Sequence, residues 1–347
     1  MTTPSTVLAA GSDIAFWFNA KAKRVTPKVI AAFREALPHA RVLASGSLED
    51  AKREAQTLVE KPPRLLFCGG GDGTVVVLLN LLRELGAKSF PTIALLQLGT
   101  GNGWPRATGA PPWRAALKRL GKIPLPPPTQ RFNLVEVEGR LCHFTGVGWD
   151  GIILHDYRRN LEKRRSQLVA SRFATRLHSS VFGYLYSVAR ITVPEQMALN
   201  RKHGRATVRV ENLGPDAYRL DENGQSVELP KGQVVLHEGP HSIAAAATEP
   251  FWGGGFRAFP YAMAMPGYVN VRLYDRPVLE GFLNTPRLWR GGIGLPGFHD
   301  FFLTRGRFVF SREVPFQVGG DVVGPRDSLE LNVAKESVQL MRWDLVD

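Results

Sequence analysis

Apolar residues fall along the chain in two rhythms, and the change between them divides it. In the first third, short continuous apolar runs alternate with stretches of helical spacing. Ile14–Phe18, Arg41–Ala44, Leu65-Leu66-Phe67-Cys68 and Thr92–Leu96 read as strands, and Pro27–Leu37, Leu48–Glu60, the run from Val75 and Pro112–Leu120 as helices. This alternation predicts a parallel sheet with helices on both faces, because strands covered on both sides are apolar at successive positions. The stretch from Gly121 to Pro128, rich in proline, then interrupts the pattern as a linker does. Beyond it come short strands with little helix between them: Phe132–Val137, Arg205–Glu211, Gln233–His237, Val269–Tyr274, Arg307–Ser311 and Ser337–Arg342. That half reads as an antiparallel β-sandwich. The expected domains are therefore 1–128 and 129–332.

Composition narrows the class. At 347 residues the chain can bury two cores, and 44% hydrophobic with 22% charged residues is ordinary for a soluble protein. Two cysteines, Cys68 and Cys142, give neither a disulfide framework nor a metal cluster, which fits a reducing cytoplasm. The longest early apolar run, Ile14–Phe18, is strand-sized, so no signal peptide is read, and no stretch approaches the roughly 18 apolar residues of a membrane span. A cytoplasmic protein is expected, with any membrane contact peripheral.

The net charge of +13 changes the picture in one place. Arg158 to Arg190 holds eight basic residues against one acid, Glu162, and within it Val169, Phe173, Leu177, Val181 and Leu185 recur every four residues. Such a basic amphipathic helix either lies on an anionic membrane or packs on the protein's own core with its arginines solvated. Nucleic acid is not expected as a partner, since no helix-turn-helix, zinc finger or RNA-binding aromatic signature is present.

The candidate chemistry lies in the first domain. Gly69-Gly70-Gly71-Asp72-Gly73-Thr74 joins an apolar strand to an apolar helix, and four glycines within five positions are more than a tight turn needs. Glycine leaves no Cβ between backbone and ligand, so backbone N–H groups and the helix N-terminus can converge on a phosphate. A P-loop is excluded because no lysine follows Gly73, and a dinucleotide fingerprint because its third glycine and ribose-binding acid are missing. Instead the next strand ends in a second glycine loop, Gln97-Leu98-Gly99-Thr100-Gly101-Asn102-Gly103, about thirty residues on. The eight histidines are scattered without zinc-enzyme spacing. His299-Asp300 reads as a surface or turn feature, because no Gly-x-Ser-x-Gly elbow supplies a nucleophile. Trp104, Trp149 and Trp252 each flank a motif and read as core-filling aromatics before they read as a lining for an acyl chain.

Gly-Gly-Asp-Gly-Thr followed by Leu-Gly-Thr-Gly-Asn resembles the catalytic domain of the diacylglycerol kinase and sphingosine kinase family, within the NAD kinase-like superfamily. Further resemblances follow in order: Asn19 after the first strand, Arg106 after the second loop, Phe144–Asp150, Gly253-Gly254-Gly255 through Pro260, and Phe316–Asp321 in place of a Val-Asp-Gly-Glu signature. The resemblance implies an N-terminal Rossmann-like three-layer α/β domain followed by a C-terminal antiparallel β-sandwich carrying the lipid cleft. It also implies that the chain end, about 333–347, returns to the first domain. As activity it implies an ATP- and Mg²⁺-dependent lipid kinase acting on diacylglycerol, a sphingoid base or a related lipid. Asn19, Gly70, Gly71, Asp72, Gly73, Thr74, Gly99, Thr100, Gly101 and Asn102 would bind the nucleotide. Asp72 and Asp150 would organise metal, and Asp72 and Asp321 would serve catalysis, Asp321 as the base.

Departures from the pattern bear on activity. Gly103, Pro266 and Gly319 stand where the family carries acids, and Asp321 replaces a glutamate. Asp321 is shorter by one methylene, about 1.5 Å, and misplacement of that order can cost about a hundredfold in rate. A catalytically silent relative acting as a lipid or nucleotide sensor or scaffold therefore stays open. So does a soluble-substrate kinase, since NAD kinases share the first motif.

Overall fold

The computed structural model of the chain describes residues 6–7, 13–148, 193–221 and 223–346. It divides into two compact units, Met1–Leu134 with Thr248–Pro260 and Ala334–Asp347, and Val135–Ala247 with Tyr261–Val333.

The first unit is built on a parallel sheet. After a short strand β1 (Thr6–Val7), the strands β2 (Ile14–Asn19), β3 (Arg41–Ser45), β4 (Leu65–Gly70) and β5 (Thr92–Gln97) lie in the order β3-β2-β4-β5. Phe16 pairs with Val42 on one side and Phe67 on the other, and Leu66 with Ile93. β2 and β4 are apolar at successive positions because both faces are covered. The covering helices are α1 (Pro27–Ala36), α2 (Leu48–Glu60), α3 (Asp72–Glu84), α4 (Gly103–Ala107) and α5 (Trp113–Arg119). The first two start at side-chain caps. Thr26 Oγ1 accepts the Val29 N–H at 3.3 Å and Ser47 Oγ that of Asp50 at 3.0 Å, each worth about 1 kcal/mol. A strand β6 (Pro124–Leu125) pairs with β1.

Aromatic rings fill this core. Phe16 stacks on Phe67 with centroids 4.8 Å apart, and Phe33 packs on Phe16 and Phe18. From the chain's last segment Trp343 packs against Phe67 at 6.2 Å and donates its indole N–H to the Leu95 carbonyl at 2.8 Å. Burying each such ring contributes about 1.5–3 kcal/mol, which is why Ala334–Asp347 groups with this unit.

The second unit is antiparallel. Its described strands are the end of β7 (Thr129–Val137), β8 (Arg140–Cys142), β9 (Phe144–Gly148), β10 (Thr207–Asn212), β11 (Ala217–Leu220), β12 (Ser226–Glu228), β13 (Val235–Pro240), β14 (Ile243–Ala247), β15 (Val269–Tyr274), β16 (Phe298–Leu303), β17 (Arg305–Val318) and the first part of β18 (Asp321–Met341). They pair as β12-β11-β16-β15-β14-β9-β17-β18, with β10 between β17 and β13. Ala244 to Ala247 of β14 are fully buried between β9 and β15.

Three readings of the sequence change. β17 and β18 are far longer than Arg307–Ser311 and Ser337–Arg342, because polar residues alternate along half-exposed strands and break up the apolar signal. The segment Thr248–Pro260 belongs to the first unit rather than to the second body that holds its neighbours. His299 and Asp300 lie on β16, not at a turn. Asp300 is buried against Arg272 at 3.5 Å, and His299 Nε2 lies 3.0 Å from Asp275 Oδ2.

Candidate functional site

Three glycine-rich segments of the first unit meet backbone to backbone. A Cβ built on Gly99 would lie 2.2 Å from the Gly71 Cα and 2.8 Å from its nitrogen, so the first and second loops touch at a distance only glycine allows. One on Gly101 would lie 2.9 Å from Asp72 Oδ2 and 3.4 Å from the Gly253 Cα. The third segment is fixed there by a hydrogen bond from the Gly254 N–H to the Gly101 carbonyl at 2.7 Å. Gly254 and Gly255 have φ of 61° and 92°, values L side chains rarely adopt. The Arg106 guanidinium carbon lies 3.6 Å from where a Gly255 Cβ would stand.

The polar residues predicted for the site mostly hold these loops in shape. Asn19, at the end of β2, donates from Nδ2 to Thr74 Oγ1 at 3.1 Å, and the same hydroxyl accepts the Gly71 N–H at 3.3 Å. Asn102 sits in the left-handed region, at φ 51°. Its Oδ1 accepts the Gly99 N–H and its Nδ2 donates to the Gly99 carbonyl, both at 2.9 Å. Asp72 is buried at the start of α3, where Oδ2 accepts the Gly103 N–H and Oδ1 the Trp104 N–H, both at 2.9 Å. This one carboxylate therefore ties the first glycine loop to the second. Burial pushes its carboxyl above the usual range, against the pull of those N–H groups and the Arg106 charge. Thr100 is exposed at the tip of the second loop.

Gly73 differs from all of these. It occupies the second position of α3, its φ is not positive, and nothing lies within 4 Å of where its Cβ would be. Its N–H belongs to the first turn, where no intrahelical acceptor exists. The backbone is open there.

The sequence reading missed Glu249. It is fully buried, its Oε2 accepts the Phe251 N–H at 2.9 Å, and burial together with the neighbouring Asp72 charge holds its carboxyl well above the ordinary range. The only sequence signal is an acid set between Ala244-Ala245-Ala246-Ala247 and Phe251-Trp252. Trp104 is fully buried and packs edge-on against Phe132 at 6.4 Å, and Trp252 packs on Phe256 and Phe259.

The remaining predicted residues belong to the second unit or are not among those described. Asp321 is exposed at the foot of a hairpin in the second unit, paired with Val318 across Gly319 and Gly320. Those two have φ of 57° and 91°, which explains why glycine stands at 319. Asp150, Trp149 and the basic stretch Arg158–Arg190, read from the sequence as helical, lie outside the described residues. Among the described residues no three His, Cys, Asp or Glu side chains gather so as to hold a metal ion, and no helix is long and apolar enough to cross a membrane.

Residues 18–124 match the family model of the diacylglycerol kinase catalytic domain. No curated protein matches the sequence. Among solved structures, a putative diacylglycerol kinase from Bacillus anthracis aligns over 97% of this chain and 99% of its own, at 16% identity and a TM-score of 0.61. A second diacylglycerol kinase from the same organism aligns over 97% and 98%, at 14% identity and 0.58. An NAD kinase from Archaeoglobus fulgidus, in complex with ATP, aligns over 94% and 93% at 11% identity and 0.44. The two-domain architecture, a parallel α/β domain and an antiparallel strand-rich region, is thus that of the diacylglycerol kinase structures.

Proposed function

We propose that the glycine cluster binds the phosphates of ATP and that the chain transfers the terminal phosphoryl group to a hydroxyl of a lipid, of the diacylglycerol or sphingoid-base class. The observation that carries the nucleotide half is Gly73. Glycine in a helix costs about 1 kcal/mol relative to alanine, and here neither packing nor a positive φ requires it. A phosphate drawn close to the first-turn N–H groups of α3 gives it a reason. The lipid half rests on the likeness of residues 18–124 to the diacylglycerol kinase catalytic domain.

In this reading Gly70, Gly71, Gly73 and Thr74 of the first loop and Gly99, Thr100 and Gly101 of the second surround the phosphates. Asn19 and Asn102 act through their hydrogen bonds on Thr74 and Gly99, and Asp72 locks the two loops together. Arg106 adds positive charge beside them. The acceptor hydroxyl oxygen attacks the γ-phosphorus, its proton passes to a carboxylate, the bond to the bridging oxygen breaks and ADP leaves. Asp321 is the base proposed for that proton. Asp72, whose two oxygens accept the Gly103 and Trp104 N–H groups and keep further acceptor capacity, is the acid among the described residues proposed to help hold a Mg²⁺, which would neutralise phosphate charge.

The test is transfer of label from [γ-³²P]ATP to a mixed lipid extract in detergent micelles with Mg²⁺ or Mn²⁺ present. Labelled lipid that falls at least about a hundredfold in Asp321→Asn supports the assignment; a variant as active as the parent removes Asp321 as the base. A second reading, a nucleotide- or lipid-binding relative without turnover, is favoured by the glycines at 103 and 319. ATP binding with no labelled lipid under either metal is its expected signature, and NAD phosphorylation without lipid phosphorylation would instead place the chain with soluble-substrate kinases.

A further inference from the structure

Gly103 is a glycine for a reason that lies elsewhere in the chain. Its φ is not among the positive ones, so its backbone conformation is open to other residues. What excludes a side chain is the segment Thr248–Pro260. A Cβ on Gly103 would meet the Phe251 carbonyl oxygen at 2.8 Å, the Phe251 Cβ at 3.2 Å and Glu249 Oε1 at 3.4 Å. The space beside the second glycine loop, where the resemblance implies an aspartate side chain, is filled by residues nearly 150 positions later, and they bring a carboxyl with them.

We propose that Glu249 is a positioning residue of the site: its carboxyl takes the place of the acid missing at position 103 and holds the second glycine loop in register with Asp72. Three contacts argue for this. Asp72 accepts the Gly103 and Trp104 N–H groups. Glu249 Oε1 stands 3.4 Å from where a Gly103 Cβ would be, its own turn closed by the Phe251 N–H at 2.9 Å. Further on, the Gly254 N–H bonds the Gly101 carbonyl, so the segment that carries Glu249 is fixed to the loop. An apolar residue would fill the same volume without the cost of burying a polar group. A fully buried acid retained there points to work that needs its oxygens. That work requires hydrogen-bonding shape rather than negative charge, since a second bare carboxylate beside Asp72 would be repelled.

The inference rests on the nucleotide-binding reading, and the experiment separates the two. In the 347-residue chain, Glu249→Ala, Glu249→Gln, Gly103→Asp and the double variant Gly103→Asp/Glu249→Ala are compared by ATP titration calorimetry and by thermal unfolding. Glu249→Ala is expected to weaken ATP binding about tenfold, while Glu249→Gln, which keeps the shape, stays within about threefold. Gly103→Asp alone is expected to lose both binding and stability, through the clash with Phe251 and through crowding of its carboxyl against Glu249. The double variant keeps the clash with Phe251 but relieves the crowding of the two carboxyls, so its loss should be smaller than the sum of the single losses. Strictly additive effects, or Glu249→Ala binding ATP like the parent, would overturn the proposal. Gln behaving like Ala would also overturn it, in favour of a charged role. Should the parent not bind ATP at all, the nucleotide reading fails on its own, and the unfolding temperatures of the four variants still decide whether positions 103 and 249 are coupled.

Discussion

Gly73 in the first loop and Gly103 in the second are the same residue kept for opposite reasons. Around Gly73 there is nothing within 4 Å for a side chain to meet, whereas at Gly103 the Phe251 carbonyl already stands 2.8 Å from the Cβ position. One glycine borders open space at the first turn of a helix; the other makes room for another part of the protein. A glycine count therefore overstates the number of positions facing a ligand. In this site the contacts separate ligand-facing positions from those where backbone meets backbone.

The strongest way to break that comparison is at Gly99, the extreme of the packed kind. A methyl group there would fall 2.2 Å from the Gly71 Cα, and backbone cannot rotate away as a side chain can. Gly99→Ala is expected to destabilise the chain by more than about 3 kcal/mol, read as a large fall in the chemical-denaturation midpoint. A loss below about 1 kcal/mol would show that the two loops separate easily.

Gly103→Ala comes next, with an expected loss of about 1–3 kcal/mol. The acid behind it has a smaller signature, in pH dependence. An unfolded glutamate ionises near 4.5, whereas burial and Asp72 keep Glu249 protonated in the folded chain to higher pH. The folded state thus holds a proton that the unfolded state has released, and stability falls as pH rises above about 4.5. The slope from one group is at most about 1.4 kcal/mol per pH unit. The buried histidines of the second unit act in the opposite sense. Burial lowers His143 to about 3 and His241 to about 4, so their contribution is present above about 6.5 and is lost as pH falls. The difference between parent and Glu249→Gln isolates the acid. It should widen in favour of the glutamine variant between pH 5 and 7, and parallel curves would mean that Glu249 titrates normally.

What the sequence disclosed follows the same division. β2, β4 and β5 were legible because parallel strands buried on both faces are apolar without a break, and α2 because Ser47, Glu49 and Asp50 mark its start. The first two glycine loops were legible because each directly follows such a strand. Glu249 was not, since its role is set by Gly103 and Asp72, which are remote in sequence, and an acid among alanines and aromatics has no local pattern. The burial of Asp300 was hidden for a similar reason: its partner Arg272 lies on the neighbouring strand, and neither charge suggests the interior.

The smallest effect is the most informative about function, because it carries an unusual sign. Gly73→Ala adds a methyl group to the first turn of α3 where no atom opposes it, and it removes the excess backbone freedom of glycine from the unfolded chain. The apo protein is therefore expected to become more stable by about 0.5–1 kcal/mol. If phosphates approach that turn, the same methyl group stands between them and the backbone N–H groups, and ATP affinity should fall about tenfold or more. Greater stability with weaker binding is what a position shaped for a ligand predicts. Greater stability with unchanged ATP affinity would mean that Gly73 answers to nothing in the site, and the nucleotide reading would lose the observation that carries it.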